Sequence, residues 1–151
     1  MHICTGTIIK STSLLTETVF EDTLIFIISN NSDGAIGFII NQTADRYLNH
    51  LEEFKNTKSF ALSKGGPVDE EHLFFIHGRP DLINDGQLVS NEIYYAGNFT
   101  EVVSAINNRT ITENELKIFL GYCGWDAGEL EAEVEEGSWT IAKNISVFKD
   151  T

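Results

Sequence analysis

The stretch of this chain that carries the most chemistry runs Gly121-Tyr122-Cys123-Gly124-Trp125-Asp126-Ala127-Gly128-Glu129. A thiol framed by glycines, after an apolar run and before a helix-forming segment, has the order of parts of a nucleophile elbow. A helix N-terminus would lower the thiol's pKa, while the carboxylates of Asp126, Glu129 and Glu131 would raise it again. The elbow pattern wants glycine two positions after the nucleophile, and Trp125 stands there. His77 or His72 could serve as base, with Asp69 as orienter, but nothing in the sequence brings them together. Cysteine is also among the most buried residue types. A structural thiol is therefore expected, and a hydrolase or transferase using Cys123 with His77 is the runner-up.

The same glycines could instead cradle a phosphate between a strand and a helix. Carboxylates already load that helix start and would repel the ligand. No lysine follows the glycines, as a phosphate-binding loop requires, so no nucleotide cofactor is expected. His72 and His77 lie near Asp69, Glu70 and Glu71. Five residues apart on a strand, the two imidazoles would point to opposite faces. Neither H-x-H nor H-E-x-x-H occurs, so no metal site is expected. Gly65-Gly66-Pro67-Val68 has a more specific geometry. Paired glycines allow positive φ and close approach, the proline fixes the exit, and the residue before it is pushed towards extended shapes. A tight structural corner is the simpler reading. A rim of backbone N–H groups around a pocket is the functional alternative.

Glutamates crowd the segment after the thiol, at positions 129, 131, 133, 135 and 136. A solvated helix face would account for most of them. Glu135 and Glu136, however, would sit in the last turn, where negative charge opposes the helix dipole by about 0.3–1 kcal/mol each. That conflict points to a basic protein or peptide partner, or a basic patch elsewhere in the fold. The whole chain is acidic, with 10 basic and 23 acidic residues and a net charge of −13. Such a charge argues against direct contact with nucleic acid and against docking on anionic lipid. Cys4 and Cys123 lie far apart and outside any C-x-x-C pattern, as free thiols in a reducing compartment do. MHICTGTIIK shows no signal peptide, and apolar runs such as Leu24–Ile28 are too short to span a bilayer. A cytoplasmic location is expected.

These residues need elements to hold them. The 151 residues suit one domain, residues 1–151, without linkers or repeats. Gly6–Lys10 reads as a first strand. The apolar, β-branched runs Leu24–Ser29 and Ala35–Asn41 flank the turn formers NNSDG and predict an antiparallel hairpin at the centre of a sheet. Gly37 would mark a close backbone approach. Leu48, Leu51 and Phe54 predict a short helix over Tyr47–Phe54. Further strands are expected at Ser59–Ser63, His72–His77, Leu88–Ala96, Lys117–Tyr122 and Trp139–Ala142. Asn98 and Glu101 form a capping box before a helix over Phe99–Asn107, and Thr112 and Glu115 repeat that spacing. Asp126 and Glu129 would start a second helix over Ala127–Glu136, with Gly137 as its left-handed end. Strands and short helices without regular βαβ alternation argue for an α+β fold.

Taken in order, these landmarks resemble the YqgE/AlgH family of bacterial proteins. The matching stretches are Gly6 with its strand, Phe20-Glu21-Asp22-Thr23, Gly34-Ala35-Ile36-Gly37-Phe38-Ile39-Ile40-Asn41, Gly65-Gly66-Pro67-Val68 and His77. Gly121-Tyr122-Cys123-Gly124-Trp125 follows, running into Gly128-Glu129-Leu130-Glu131 and Trp139, so the match covers nearly the whole chain. Cys123 stands where the family more often has alanine, which weakens the nucleophile reading. Glu129 stands where glutamine is usual, and a proline common near the first strand is absent. The resemblance implies a single α+β domain whose strongly bent, mixed or antiparallel sheet forms a pseudo-barrel with a few short flanking helices. It implies no established enzymatic activity. One branch is named for an effect on alginate production, which with this acidity implies indirect transcriptional regulation. The resemblance places candidate ligand-binding residues at Asn41, Gly66, Pro67 and Trp125. A non-enzymatic binding or regulatory protein is the expected function. A directly DNA-binding regulator is the weakest alternative, after the Cys123–His77 enzyme.

Overall fold

The two β-branched runs pair as expected. Leu24–Asn31 (β2) and Gly34–Ile39 (β3) form an antiparallel hairpin with a register shift between Ile27 and Ser29. The computed structural model describes residues 2–148. The remaining strands are Ile8–Ser11 (β1), Thr43–Tyr47 (β4), Ala61–Lys64 (β5), Val68–His77 (β6), Gln87–Ser90 (β7), Ile93–Tyr95 (β8), Leu116–Trp125 (β9) and Trp139–Ala142 (β10). Among the described residues two α-helices accompany them, Phe99–Asn107 (α1) and Glu129–Glu135 (α2). No helix among the described residues is long and apolar enough to cross a membrane.

The sheet runs β10-β1-β2-β3-β9-β6-β8-β7, with β4 and β5 off this path. Its pairings are antiparallel except β5 with β9. The fold is α+β with a mostly antiparallel sheet, as expected. The sheet does not close: β10 and β7 form its two ends.

Strand β9 organises the core. Leu116, Ile118 and Leu120 pack in the cluster that α1 covers with Val102, Ala105 and Ile106. Cys123 and Trp125 pack in a second cluster with Leu130 of α2. Phe119 and Tyr122 join a third, where Phe38 stacks on Phe119. Phe119 to Tyr122 and Leu120 to Cys123 are steps of three along the strand, where simple alternation takes two. The extra residue is Gly121, at φ 77, a bulge that resets which side chains face each way.

Three expectations are corrected. Tyr47–Phe54 is not a short α-helix but the end of β4 followed by 3-10 turns at Leu48–His50 and Glu52–Phe54. Apolar residues spaced strictly by three suit the three-residue period of a 3-10 turn. Leu88–Ala96 is not one strand; Asn91 and Glu92, at φ 41 and 68, turn it into the β7–β8 hairpin. The strand expected over Lys117–Tyr122 does not stop there but runs on through Cys123-Gly124-Trp125 as the end of β9, so the elbow and phosphate-loop readings lose their geometry.

The caps are closer to expectation. Asn98 Oδ1 accepts from Glu101 N–H at 3.1 Å. The Glu101 carboxylate turns to the N–H and Nδ2 of Asn84, both at 2.9 Å, because the Asn98 N–H is already donated to the Asn84 carbonyl. Helix α2 starts two residues later than expected because Gly128 is left-handed, at φ 78. Gly137, at φ 90, ends it: its N–H donates to Val134 O and that of Ser138 to Glu133 O, the paired bonds of a Schellman end.

Candidate functional site

The Gly65-Gly66-Pro67 corner is a strand crossing. Ile118, Phe119 and Leu120 of β9 pair with β5 and also with β6. A strand residue has one partner per edge, so β5 and β6 lie on opposite edges of β9. The chain must pass from Lys64 on one edge to Val68, opposite Tyr122, on the other. It does so with its backbone laid against the backbone of β9. A Cβ on Gly66 would fall 2.2 Å from the Tyr122 carbonyl, and one on Gly121 would fall 2.3 Å from the Gly66 carbonyl oxygen. Gly65 knits the junction, donating its N–H to Leu120 O and accepting from Ile39 N–H, both at 2.8 Å. Gly66 is buried in this crossing and Pro67 is exposed beyond it.

Cys123 lies beside the crossing, and its thiol donates to the Gly65 carbonyl at 3.5 Å. It is 1% exposed. Burial pushes its thiol up to about 12, opposed by a hydrogen bond from the Ile39 backbone. His77 ends β6 opposite Leu116, seven positions before Cys123 on β9. At about 3.3 Å per residue the two are roughly 20 Å apart. His77 is itself buried, between the rings of Phe75 and Tyr94. Its Nδ1 accepts from Arg79 N–H at 3.1 Å, so a neutral ring carries its proton on Nε2. That nitrogen is buried without a hydrogen bond of good geometry. Burial holds the imidazole below its ordinary 6.5, with the Ala96 carbonyl opposing. The structure thus leaves the runner-up pair unassembled, and Asp69 and His72 stand on the exposed part of β6. Among the described residues no group of His, Cys, Asp and Glu could hold a metal ion.

Asn41 is a clamp. Its Oδ1 accepts from Leu24 N–H and its Nδ2 donates to Asp22 O, each at 3.0 Å. It lines a shallow cleft of about 520 Å³ between Lys10 and Lys143, while Trp125 lines a different one.

The acidic segment is partly architectural, which the sequence reading missed. Glu133 Oε1 accepts from Trp125 Nε1 at 3.0 Å and from Trp139 Nε1 at 2.9 Å. Glu131 Oε2 accepts from Asn30 Nδ2 at 2.7 Å and Ile3 N–H at 3.2 Å. The Asn30 bond is the main cause of its lowered pKa. Glu129 Oε1 accepts from Asp126 N–H at 3.0 Å. Two tryptophans bracketing a run of glutamates were the available signal. Glu135 and Glu136 are exposed.

Among several clefts of about 400–520 Å³ in the described residues, the groove of about 410 Å³ across the β3–β9 pair gathers carboxylates beside apolar side chains. Ile36, Tyr122, Gly124 and Trp125 line it, together with Asp33, Asp126 and Glu129. The three carboxylate residues are exposed, and no basic residue is among those lining it. It can take a positively charged group beside an apolar one. The Cys123 thiol does not enter it, because that side chain packs in the core on the face opposite Tyr122.

A family profile described as AlgH-like matches residues 7–150. The chain is 33% identical over 138 residues to a UPF0301 protein of Chlorobium chlorochromatii, covering 91% of this chain and 73% of that one. It is 34% identical over 148 residues to a UPF0301 protein of Chlorobaculum parvum, covering 96% and 79%. Among solved structures it is similar to the AlgH protein from Pseudomonas aeruginosa, with TM-score 0.71 and 26% identity over 91% of this chain and 76% of that one. It also shares the fold of a Corynebacterium diphtheriae protein, with TM-score 0.74 and 16% identity over 98% and 85%.

Proposed function

The chain belongs to the AlgH-like family, and from that premise we propose that it is a non-enzymatic binding protein of the cytoplasm that engages a basic protein or peptide. Any effect on transcription is exerted through that partner and not by contact with DNA. The observation that carries this reading is the groove lined by Asp33, Asp126 and Glu129 and by no basic residue. A net charge of −13 extends the same field over the surface and opposes phosphate backbones. The buried, separated Cys123 and His77 support a binding role over a cysteine-dependent one.

Titration with defined Lys/Arg-rich peptides and matched acidic peptides, followed by backbone amide shifts, tests this. The basic peptides should move the amides of Ile36, Gly124 and Asp126, and the effect should weaken as salt rises. Retention of duplex DNA, with those amides unmoved by every basic peptide, would refute the reading.

A further inference from the structure

Around this groove, most glycines are demanded by the fold. Gly34 is left-handed, and a Cβ there would lie 2.2 Å from the Trp125 carbonyl oxygen. A Cβ on Gly37 would lie 2.7 Å from Ile25 Cγ2 and 2.9 Å from the Phe26 carbonyl oxygen. Gly121 is left-handed and lies under the strand crossing. Gly124 differs. It is exposed, it is not left-handed, and a Cβ on it would meet only the Tyr122 ring, at 3.4 and 4.0 Å. A glycine inside a strand weakens it and often marks the close approach of a ligand or another backbone.

Its surroundings say what approaches. Ile36 pairs with Gly124 across β3 and β9, and Val68 pairs with Tyr122 across β6 and β9. Directly paired residues share a face, so Ile36, Gly124, Tyr122 and Val68 form one row over three neighbouring strands. Ile36 and Val68 are each 38% exposed. At about 4.8 Å between strands the row is roughly 10 Å wide, room for one large apolar side chain or two small ones. Carboxylates flank it: Asp33 and Asp126 line the Ile36 end, and exposed Asp69, Glu70 and Glu71 follow Val68.

We infer that the bare Cα of Gly124 seats an apolar side chain of a partner protein, held between Ile36 and Tyr122, in a segment whose flanking lysines or arginines meet the carboxylates at either end. This rests on the basic-partner reading and adds the anchor to it. Its test uses the full chain, a Lys/Arg peptide with a central leucine, and the same peptide with glycine there. The leucine peptide should bind about tenfold tighter or more, equivalent to about 1.4 kcal/mol. Gly124→Val should erase that advantage, whereas Gly124→Ala should leave Tm unchanged or higher, since no fold contact needs the glycine. Asp33→Asn/Asp126→Asn should weaken both peptides alike. Equal affinities for the two peptides, unmoved by Gly124→Val but reduced by the charge variant, would overturn the apolar seat and spare the basic-partner reading. A lowered Tm for Gly124→Ala would also overturn the seat, by showing that the fold itself needs the glycine. Binding of neither peptide would overturn both.

Discussion

The thiol of Cys123 donates to the carbonyl oxygen of Gly65 across 3.5 Å, tying the strand crossing to the strand it crosses. With burial pushing it up to about 12 from 9.0, the folded chain keeps a proton that the unfolded chain releases. Stability from this group is therefore complete below about pH 9 and is lost as pH rises towards 12. Alkaline denaturation of the native chain should be steeper over that window than that of Cys123→Ala. At neutral pH a thiol reagent should label exposed Cys4 quickly and Cys123 only after unfolding. Mass spectrometry of tryptic fragments distinguishes the two, and comparable labelling rates would revive a reactive Cys123.

His77 has the opposite pH signature. Its pKa is lowered in the folded chain, mainly by burial, so below the ordinary 6.5 the unfolded chain binds the extra proton. The stability it supports is present above that value and falls as pH drops below it. Arg79, whose N–H donates to the ring, is held by Asp81 and Glu115 and offers no new acceptor for an imidazolium. Urea midpoints for the native chain should decline between about pH 6.5 and 5, and His77→Gln should flatten that decline. An equal slope in both would place the titration elsewhere.

The hairpin of β2 and β3 was legible because continuous apolar runs meet around turn formers, and α1 because Asn98 and the period of Val102 and Ile106 agree. The continuation of β9 past Tyr122, through Cys123-Gly124-Trp125, was not. Glycines usually punctuate strands, and the partners that require Gly121 stand more than fifty positions earlier, at Gly66 and Val68. The groove was hidden for the same reason. Trp125 was among the candidate residues, but Ile36 and Gly124 become neighbours only through the β3–β9 register. Dipole arithmetic on α2 singled out Glu135 and Glu136, yet it was Glu133, between two indoles, that the fold uses.

The crossing predicts a sharp contrast among glycines. Gly66→Ala and Gly121→Ala each force a Cβ to within 2.2–2.3 Å of backbone atoms that cannot retreat without parting β5, β6 and β9. Overpacking costs about 1–3 kcal/mol, and the left-handed φ of Gly121 adds roughly 1–2 kcal/mol more. For a chain of this size each kilocalorie lowers Tm by about 2–4 °C. Differential scanning calorimetry should find both variants well below the parent chain, Gly121→Ala the lower. Parental melting in either would contradict the backbone-on-backbone packing.

Glu133 predicts a stability effect that its surface-helix position conceals. One oxygen accepts from both Trp125 and Trp139, whose rings meet edge-on with centroids 6.2 Å apart, and Phe20 packs on Trp139 at 5.7 Å. Glu133→Ala would strand two indole N–H groups, of which Trp139's is on a residue 2% exposed. At about 1–3 kcal/mol for each unsatisfied donor, the loss should be roughly 2–6 kcal/mol. Glu133→Gln keeps an acceptor oxygen and should lose markedly less. Urea unfolding followed by tryptophan emission reads both effects, since the same carboxylate sits at both fluorophores. A Glu133→Ala chain as stable as Glu133→Gln, with unchanged emission, would mean that the two indoles do not depend on this carboxylate.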